Sequence, residues 1–205
     1  MELPSCAWPA NAPSPEAFVA LVSREGARLY RDLPWRNIDD AYAVLVSEVM
    51  LQQTQVKRVL GRWERFLAKF PTPDALASAS TSDVVGEWQG LGYNRRALAL
   101  RRAAEECSQH HAGALPVGVD ALQQLPGIGP ATAAGVTAFA RNQRAVYIET
   151  NVRTVFLHLL FPDEDAVPDK QLEPLVAACC PPAGEVRAWY YALLDVGAHL
   201  KSQVT

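Results

Sequence analysis

Two glutamates stand in segments whose other residues are apolar, a setting in which a carboxyl group can exchange a proton. Glu48 lies between Val44-Leu45-Val46 and Val49-Met50-Leu51. Desolvation there disfavours the charged form, so we expect the pKa of Glu48 to rise and the protonated acid to serve as a proton donor near neutral pH. A glutamate on the solvent face of a helix is the alternative interpretation.

Glu149 follows the apolar residues Tyr147 and Ile148, just before a predicted helix that begins near residue 151. The partial positive charge of a helix N-terminus stabilises an anion, so we expect Glu149 to be ionised. The pKa of Glu48 would then be raised and that of Glu149 lowered, so that one residue is a protonated acid and the other an ionised carboxylate. Pairs of carboxyl groups that divide catalytic roles are arranged in this way. An ordinary helix-capping glutamate is the alternative.

Two further patterns are of kinds that contact nucleic acids. Residues 125–133, Leu-Pro-Gly-Ile-Gly-Pro-Ala-Thr-Ala, form a turn before an apolar helix, and Gly127 and Gly129 would let another molecule approach the backbone. The free N–H groups of this turn and of the helix N-terminus would bind phosphate, although a plain turn between helices is the alternative. The polar run Gln52-Gln53-Thr54-Gln55 offers amides suited to base edges or to insertion into a base stack.

The composition is that of a globular protein and gives a mixed signal about a nucleic-acid partner. The chain has 205 residues, 49% of them apolar, and a net charge of −3, which is unfavourable for phosphate binding. Fifteen of the nineteen basic residues are arginines, which pair with phosphate in a bidentate way. Several are clustered along the sequence: Arg95, Arg96, Arg101, Arg102, Arg141, Arg144 and Arg153. The clustering favours a local basic surface on an acidic protein.

No segment is typical of a membrane or secreted protein. No apolar run approaches the ~20 residues of a membrane helix, and residues 1–6 lack the basic and apolar regions of a signal peptide. We therefore expect a cytoplasmic protein. The cysteines have spacings that fit neither a zinc site nor an iron–sulfur cluster, and we expect them to be reduced and packed: Cys6, Cys107, Cys179 and Cys180.

Helical periodicity extends over most of the chain and predicts the elements that must position these groups. Helices are expected at about 15–30, 41–53, 54–69, 73–79, 82–88, 94–111, 119–124, 130–140, 170–179 and 185–200, with an extended stretch at 145–150 and a helix restarting near 151. The fold class is therefore all-α. We expect a single module with two lobes: lobe A from about 15–53 plus 145–205, and lobe B from about 54–144, which contains the hairpin 125–133.

Together the motifs resemble the helix-hairpin-helix (HhH-GPD) DNA glycosylases, in particular adenine glycosylases of the MutY type. The resemblance extends from about residue 16 to residue 200 and is most specific in Ser-Glu-Val-Met-Leu-Gln-Gln-Thr-Gln-Val at 47–56. Its other parts are Leu33-Pro34-Trp35-Arg36, Trp88-Gln89-Gly90-Leu91-Gly92-Tyr93, residues 125–129, Asn151-Val152-Arg153 and Asp195-Val196-Gly197-Ala198. It implies a two-lobed helical fold with the active site between the lobes, and excision of a base flipped out of a DNA duplex.

The resemblance also implies roles for single residues. Glu48 would protonate N7 of a purine, Glu149 would stabilise the oxocarbenium-like sugar, and water would complete hydrolysis, a logic shared with sugar hydrolases. Asn151 would support the sugar-side carboxylate. The implied substrate-binding positions are Trp35, Arg36, Asn151, Asp195 and Ala131; the implied DNA-binding positions are Gln52, Gln53, Tyr93, Asn94, Gly127, Gly129 and Thr132.

Four departures from the family pattern bear on activity. The family has an aspartate where this chain has Glu149, and a displacement of ~1 Å can cost ~100-fold in rate. Ala131 occupies the position of the Schiff-base lysine of lyase-type relatives, so we expect no lyase activity. Asn94 replaces a tyrosine that stacks beside an 8-oxoguanine partner base in the family. The chain ends at Thr205, before the family's cluster cysteines and its C-terminal lesion-recognition domain.

We expect a monofunctional DNA glycosylase of base excision repair that removes a purine, adenine or hypoxanthine. A glycosylase for a mismatched or modified pyrimidine and a catalytically silent DNA-binding relative are the alternatives. The expected partner is double-stranded DNA with a damaged or mispaired base, bound by a monomer that would associate with the nucleoid, and not a membrane. No iron–sulfur cluster is expected, and the resemblance allows a monovalent cation at the hairpin.

The cysteine spacing predicts a colourless protein. Purified protein should contain no stoichiometric iron, because the cysteines lack the close spacing of cluster ligands. Metal analysis and an absorbance spectrum check this; a broad band near ~400 nm with about four irons per chain would show the prediction to be wrong.

Overall fold

The computed structural model describes residues 8–164 and 166–203, and within these ranges every regular element is a helix. The helices are α1 Pro15–Arg28, α2 Ala41–Leu51, α3 Val56–Val59, α4 Arg62–Lys69, α5 Pro73–Ala77, α6 Thr81–Glu87, α7 Arg95–His110, α8 Val119–Gln123, α9 Pro130–Arg141, α10 Thr150–Leu160, α11 Asp169–Cys179 and α12 Val186–Gln203. The predicted all-α fold class is confirmed. None of these helices is both long and apolar enough to cross a membrane.

Helix boundaries follow local chemistry, with one exception to the predicted pattern. Asp40 caps α2 by accepting hydrogen bonds from the backbone N–H groups of Tyr42 and Ala43 at 2.9 and 3.0 Å. The prediction of one helix over 54–69 is wrong, because the segment divides into α3 and α4. Gly61 stands at the break with φ +75°, a left-handed conformation that ends a regular helix.

Contacts between helices divide the chain into two compact units. The central unit comprises residues 34–141, and the terminal unit comprises the described residues 8–33, 142–164 and 166–203. The predicted assignment of residues 34–53 to lobe A is therefore wrong. The reason is the packing of α2, which contacts α9, α4 and α7 within the central unit. The Trp63 Nε1–H group also donates to the carbonyl of Ala43 at 2.9 Å.

In the central unit α2 is buried along most of its length. From Tyr42 to Met50 each of its residues is buried except Glu48, which is half-buried. An aromatic cluster fixes α4 against the end of α6, with the Phe66 ring edge-on to Trp88 at a centroid distance of 5.8 Å. Helix α5 packs on α7, and α8 packs on α9. These contacts hold the chain segments that surround α2.

In the terminal unit α12 packs between α1 and α10, and two glycines set the distances between helices. A Cβ atom at Gly26 of α1 would lie 2.2 Å from the Cβ of Ala192 on α12. A Cβ atom at Gly197 of α12 would lie 2.3 Å from the backbone oxygen of Asn151 on α10. Both approaches are closer than any side chain allows, so the start of α10 is fixed against α12.

The cysteines that the structure describes behave as the sequence predicts. Cys107, Cys179 and Cys180 are buried free thiols, and Cys6 lies outside the described residues. Burial raises the pKa of Cys107 to about 11 and that of Cys179 to about 12. These thiols stay protonated at neutral pH, which makes them poor nucleophiles.

Candidate functional site

Glu48 is the polar exception on the apolar helix α2. It is half-buried, and its neighbours Ser47 and Val49 are buried. The apolar surroundings that the sequence predicts are therefore present along the helix, while a raised pKa at Glu48 stays a prediction. Trp35 and Arg36, which precede α2, are both 6% exposed, and the Trp35 ring lies edge-on to Trp63 at 6.1 Å between centroids.

The end of α2 is tied to the hairpin by one side-chain hydrogen bond. The amide Nε2 of Gln52 donates to the hydroxyl Oγ1 of Thr132 in the first turn of α9, at 3.0 Å. Thr132 is buried and its side chain supports the loop, while a DNA contact by this residue stays a prediction. Gln53, the next residue, is exposed and has a left-handed backbone with φ +53°.

Residues 88–93, the tyrosine loop, end in an exposed aromatic ring. Tyr93 is 56% exposed and, like Gln53, has a left-handed backbone, with φ +50°. The loop is held through its own carbonyl oxygens: Arg62 donates to Gln89 at 3.2 Å, Arg58 donates to Gly90, and Trp88 Nε1–H donates to Gly92 at 3.1 Å. The ring of Tyr93 is thus presented by a backbone whose hydrogen bonds are already made.

The guanidinium of Arg96 joins the tyrosine loop to the end of α2. Its Nη1 group donates to the carbonyls of Val49 at 2.8 Å, Met50 at 3.3 Å and Gln52. Its Nη2 group donates to the carbonyls of Leu91 at 3.3 Å and Gly92 at 3.2 Å, and to the hydroxyl of Thr54 at 3.1 Å. The two segments that carry Gln53 and Tyr93 therefore converge on a single side chain.

Arg96 is buried, and none of the six oxygens that accept its hydrogen bonds belongs to a carboxylate. Burial lowers the pKa of its guanidinium, although not enough to make an arginine neutral at physiological pH. Its charge lies 5.4 Å from the centre of the Tyr93 ring and 5.8 Å from that of Trp88, which adds cation–π attraction. A cavity of about 360 Å³ opens beside this cluster, lined by Gln52, Gln53, Tyr93, Arg95 and Arg96.

The hairpin has the geometry of an anion site. Gly127 has φ +77°, and a Cβ atom there would lie 2.6 Å from the Cβ of Ala99 on α7, so the turn needs glycine for two reasons. Gly129 is exposed, with open space where a side chain would be, and α9 starts at the next residue. N–H groups in the first turn of a helix lack intrahelical acceptors and attract anions. Ala131 and Asn94 are exposed and carry no ionisable group.

In the terminal unit Glu149 caps α10. Its Oε1 accepts hydrogen bonds from the backbone N–H groups of Asn151 at 2.5 Å and Val152 at 3.0 Å. Its Oε2 accepts from the side-chain amide of Asn151 at 3.3 Å. Glu149 is therefore the N-cap of α10, and Asn151 is the side-chain partner of its carboxylate, while a catalytic role for Glu149 stays a prediction. Both carboxylate oxygens are held in place.

Burial, not the helix N-terminus, dominates the proton affinity of Glu149. Desolvation raises its pKa above the ordinary value of 4.5, and the hydrogen bonds from Val152 and Asn151 and the charge of Lys201 offset only part of that rise. The N–H groups at the start of α10 do lower the pKa of Glu149, as predicted, but burial outweighs their effect. Glu149 titrates at higher pH than a solvent-exposed glutamate, which makes its charge state sensitive to pH.

Asp195, a predicted substrate-binding residue, is engaged within the terminal unit. Its side chain on α12 is fully buried, and Oδ1 accepts a hydrogen bond from Nε of Arg31 at 2.6 Å. Its Oδ2 accepts from the backbone N–H of Arg31 at 3.2 Å. The carboxylate thus holds the chain just after α1 against α12, a structural role that sequence analysis did not assign.

Most of the arginines that are clustered in the sequence are bonded to other residues of the protein and do not form an open basic surface. Arg101 donates to the carbonyl of Ala79 at 2.9 Å and pairs with Glu105, and Arg141 donates to the carbonyl of Leu115 at 3.2 Å. Arg144 and Arg153 are likewise bound, to the carbonyls of Cys180 and Ala177 and to the carboxylate of Asp169. Arg95 and Arg102 are exposed.

Sequence analysis did not identify the structural role of Arg96. The signal that could have identified it is its position one turn after the Gly90-Leu91-Gly92 turn, whose backbone carbonyls need hydrogen-bond donors.

No cluster of His, Cys, Asp and Glu that could hold a metal ion occurs among residues 8–164 and 166–203. The expectation that the protein needs no iron–sulfur cluster stays a prediction, as does a monovalent cation at the hairpin.

Comparison with known proteins gives a consistent result. Residues 46–182 match the model of the HhH-GPD superfamily base excision DNA repair proteins. The adenine DNA glycosylase of Mycobacterium tuberculosis (strain CDC 1551 / Oshkosh) is 39% identical over 176 residues, which cover 83% of this chain and 57% of that protein. The adenine DNA glycosylase of Mus musculus is 42% identical over 134 residues, 61% of this chain and 26% of that protein. The chain thus spans little more than half the length of the mycobacterial relative.

Among solved structures, a thermostable thymine-DNA glycosylase superposes with a TM-score of 0.82 at 25% sequence identity. The superposition covers 90% of this chain and 86% of that one. The fold is therefore shared along nearly the whole chain.

The six-oxygen site around Arg96 predicts a large loss of stability when its geometry is changed. In Arg96→Lys one ammonium group must replace a planar fork of donors, and buried carbonyls lose their partners, so the free energy of unfolding should fall by ~2–4 kcal/mol. Urea unfolding measures the loss. Arg101→Lys is the matched control on the same helix, since Arg101 also binds carbonyls but is only partly buried, and it should cost less than ~1 kcal/mol. Equal losses for the two variants would contradict the assignment.

The raised pKa of Glu149 predicts how its contribution to stability changes with pH. A group with a raised folded-state pKa contributes stability that is present below its unfolded pKa and is lost as pH rises through the folded value. The difference in unfolding free energy between wild type and Glu149→Gln should therefore shift against the wild type as pH rises from about 4 to neutrality. Urea unfolding across this range provides the measurement, and an opposite slope would mean that the cap dominates.

Proposed function

Because the chain belongs to the HhH-GPD superfamily of base excision DNA repair proteins, we propose that it is a monofunctional DNA glycosylase that hydrolyses the N-glycosidic bond of a flipped purine, adenine or hypoxanthine. The observation that carries the proposal is the arrangement of one helix, α2. It holds a half-buried glutamate, Glu48, and ends one turn later at Gln52 and the exposed Gln53, which share a unit with the hairpin. The proposed proton donor and the proposed DNA-contacting residues thus lie on the same helix, α2, or directly after it.

Glu48 is the proposed general acid. Its helix is otherwise buried from Tyr42 to Met50, which leaves a carboxyl group with little water to stabilise its charged form. Donation of its proton to N7 of a purine would make the base a better leaving group. Trp35 and Arg36 are proposed to line the base pocket, as the resemblance implies.

Glu149 is the proposed stabiliser of the sugar cation. Two backbone N–H groups and the Asn151 amide hold its oxygens, so the carboxylate need not reorganise when positive charge develops. The burial that raises its pKa also strengthens its attraction to a cation, because charges interact more strongly at low dielectric. Asp195, which is paired with Arg31, is proposed to act indirectly by holding α12.

DNA engagement is assigned to three exposed features of the central unit. Gln53 and Tyr93 are proposed to enter the base stack, since the Gln52 amide is already bonded to Thr132. The hairpin at Gly127 and Gly129 would bind phosphate through its N–H groups. We propose a monomer acting on double-stranded DNA that contains a damaged or mispaired base. Water would be the nucleophile, because Ala131 supplies no amine for a Schiff base, and the two carboxyl groups require no cofactor.

A second candidate is excision of a mismatched pyrimidine. It is favoured by the superposition on a thymine-DNA glycosylase at a TM-score of 0.82. The adenine DNA glycosylases of Mycobacterium tuberculosis and mouse, at 39% and 42% identity, favour the purine. A panel of substrates separates the two.

Single-turnover excision across such a panel is the test. Duplexes would place adenine, hypoxanthine, thymine or uracil opposite each normal base and opposite 8-oxoguanine. Wild type should release a purine, and Glu48→Gln and Glu149→Gln should each lower the rate at least ~100-fold while duplex binding is kept. Glu64→Gln, at an exposed glutamate of α4, is the matched control and should keep the wild-type rate.

Three outcomes would contradict the proposal in different ways. Release of a pyrimidine alone would select the second candidate. No release from any duplex that the wild type binds would identify a catalytically silent DNA-binding relative. A wild-type rate for Glu149→Gln would reduce that residue to a helix cap.

A further inference from the structure

Four arginines lie in the first turns of α7, and the contacts described above account for only two of them. Arg96 binds six oxygens around the tyrosine loop, and Arg101 binds the carbonyl of Ala79 and the carboxylate of Glu105. Arg95 and Arg102 are exposed, and no hydrogen bond or ion pair joins either of them to another residue in the part of the chain that the structure describes. Two positive charges are therefore available to a ligand.

Arg95 and Arg102 lie on the same face of α7. They are seven residues apart, two helical turns, with Ala99 between them. A cavity of about 270 Å³ runs along this face, and Gln52, Arg95, Ala99, Arg102, Gly127 and Ile128 are part of its lining. One side of the groove is therefore basic, and another is the hairpin itself.

The width of this groove is set by a close contact between backbone and side chain. A Cβ atom at Gly127 would lie 2.6 Å from the Cβ of Ala99, so the hairpin can pack on α7 at this distance only with glycine at 127 and a small residue at 99. The backbone positions of Arg95 and Arg102, on either side of Ala99, are thereby kept close to the hairpin. Three sources of positive potential converge on one concave surface.

From this arrangement we propose that Arg95 and Arg102 form, with the hairpin, a groove that binds the phosphodiester backbone of DNA along α7. The proposal rests on the proposed function and adds a second phosphate-binding element to it. It also explains how a chain with a net charge of −3 could bind a polyanion: eleven of its nineteen basic residues fall in the central unit, where only ten of the 22 acidic residues lie. Binding of a polyanion depends on the charge near the binding surface, and not on the net charge of the whole chain.

Spacing favours phosphates over a base edge as the ligand. Two turns of helix separate the arginines by about 10.5 Å at a rise of 1.5 Å per residue. That separation is well beyond the axial step of about 3.4 Å between neighbouring base pairs, so the two arginines would meet different phosphates. Each guanidinium can bind one phosphate in a bidentate way, which an ammonium group cannot do. A single base could satisfy only one of the two arginines.

The salt dependence of duplex affinity tests the proposal. Arg95→Gln and Arg102→Gln should each lower the slope of log K against log salt by about 0.9, and the double variant by about 1.8, because each removed contact releases one counterion fewer. Affinity for matched, mispaired and lesion-containing duplexes should fall by the same factor. Fluorescence anisotropy between about 50 and 300 mM salt gives both quantities.

Two control variants make the outcomes distinguishable. Arg65→Gln removes an equal charge from the same unit at a residue paired with Glu87, at 2.8 Å, and should leave the slope within about 0.2 of wild type. Gly129→Val fills open space at the hairpin and should weaken binding to every duplex. Thermal melting confirms that each variant is folded.

If the double variant keeps the wild-type salt dependence while Gly129→Val lowers duplex affinity, the proposal of a phosphate-binding groove is wrong and the proposed function is unaffected. A loss confined to duplexes with one particular base would also overturn the groove, in favour of base reading. Wild-type protein that binds no duplex, with no effect of Gly129→Val, would reject both the groove and the proposed function.

Discussion

One buried positive charge, the guanidinium of Arg96, organises the part of the central unit from which the proposed DNA contacts extend. Its desolvation is compensated by oxygens, and two of them belong to the last turn of α2, whose carbonyls lack intrahelical partners and carry the negative end of the helix dipole. The others come from the tyrosine loop and from residues 52–54. The same bonds that make burial of the charge tolerable also fix the geometry of both loops.

That geometry includes two residues in an unfavourable backbone conformation. Gln53 and Tyr93 both have positive φ, which costs ~1–3 kcal/mol for a residue with a side chain and persists only where surrounding contacts determine it. Each is adjacent to a carbonyl that Arg96 binds, at Gln52 and Gly92. Because the Arg96 bonds already fix both loops, the proposed binding of DNA would not have to supply the free energy of ordering them. The bond from Gln52 to Thr132 extends the same order to the hairpin.

The sequence predicts features that depend on neighbouring residues better than features that depend on distant ones. Asp40 before an apolar run and the glycines of the hairpin are local signals, and the structure places a helix cap and a tight turn there. The proton affinity of Glu149 could not be predicted in this way, because the helix N-terminus is visible in sequence and the burial that outweighs it is not. Arg96 illustrates the same limit: its acceptors at Val49 and Met50 lie more than forty residues away. The resemblance located most of the candidate positions, but not which arginines are already bound.

Gly197 gives the terminal unit a point of unusual vulnerability to genetic change. It touches no proposed substrate, yet the first side-chain carbon of any other residue there would collide with the backbone of Asn151, whose amide holds Glu149. Even alanine, the mildest replacement, would push the start of α10 away from α12 and shift the carboxylate with it. Among natural variants of this protein, a change at position 197 would therefore act like a substitution in the proposed active site although it lies on a packed helix, and a survey of the proposed catalytic residues alone would overlook it.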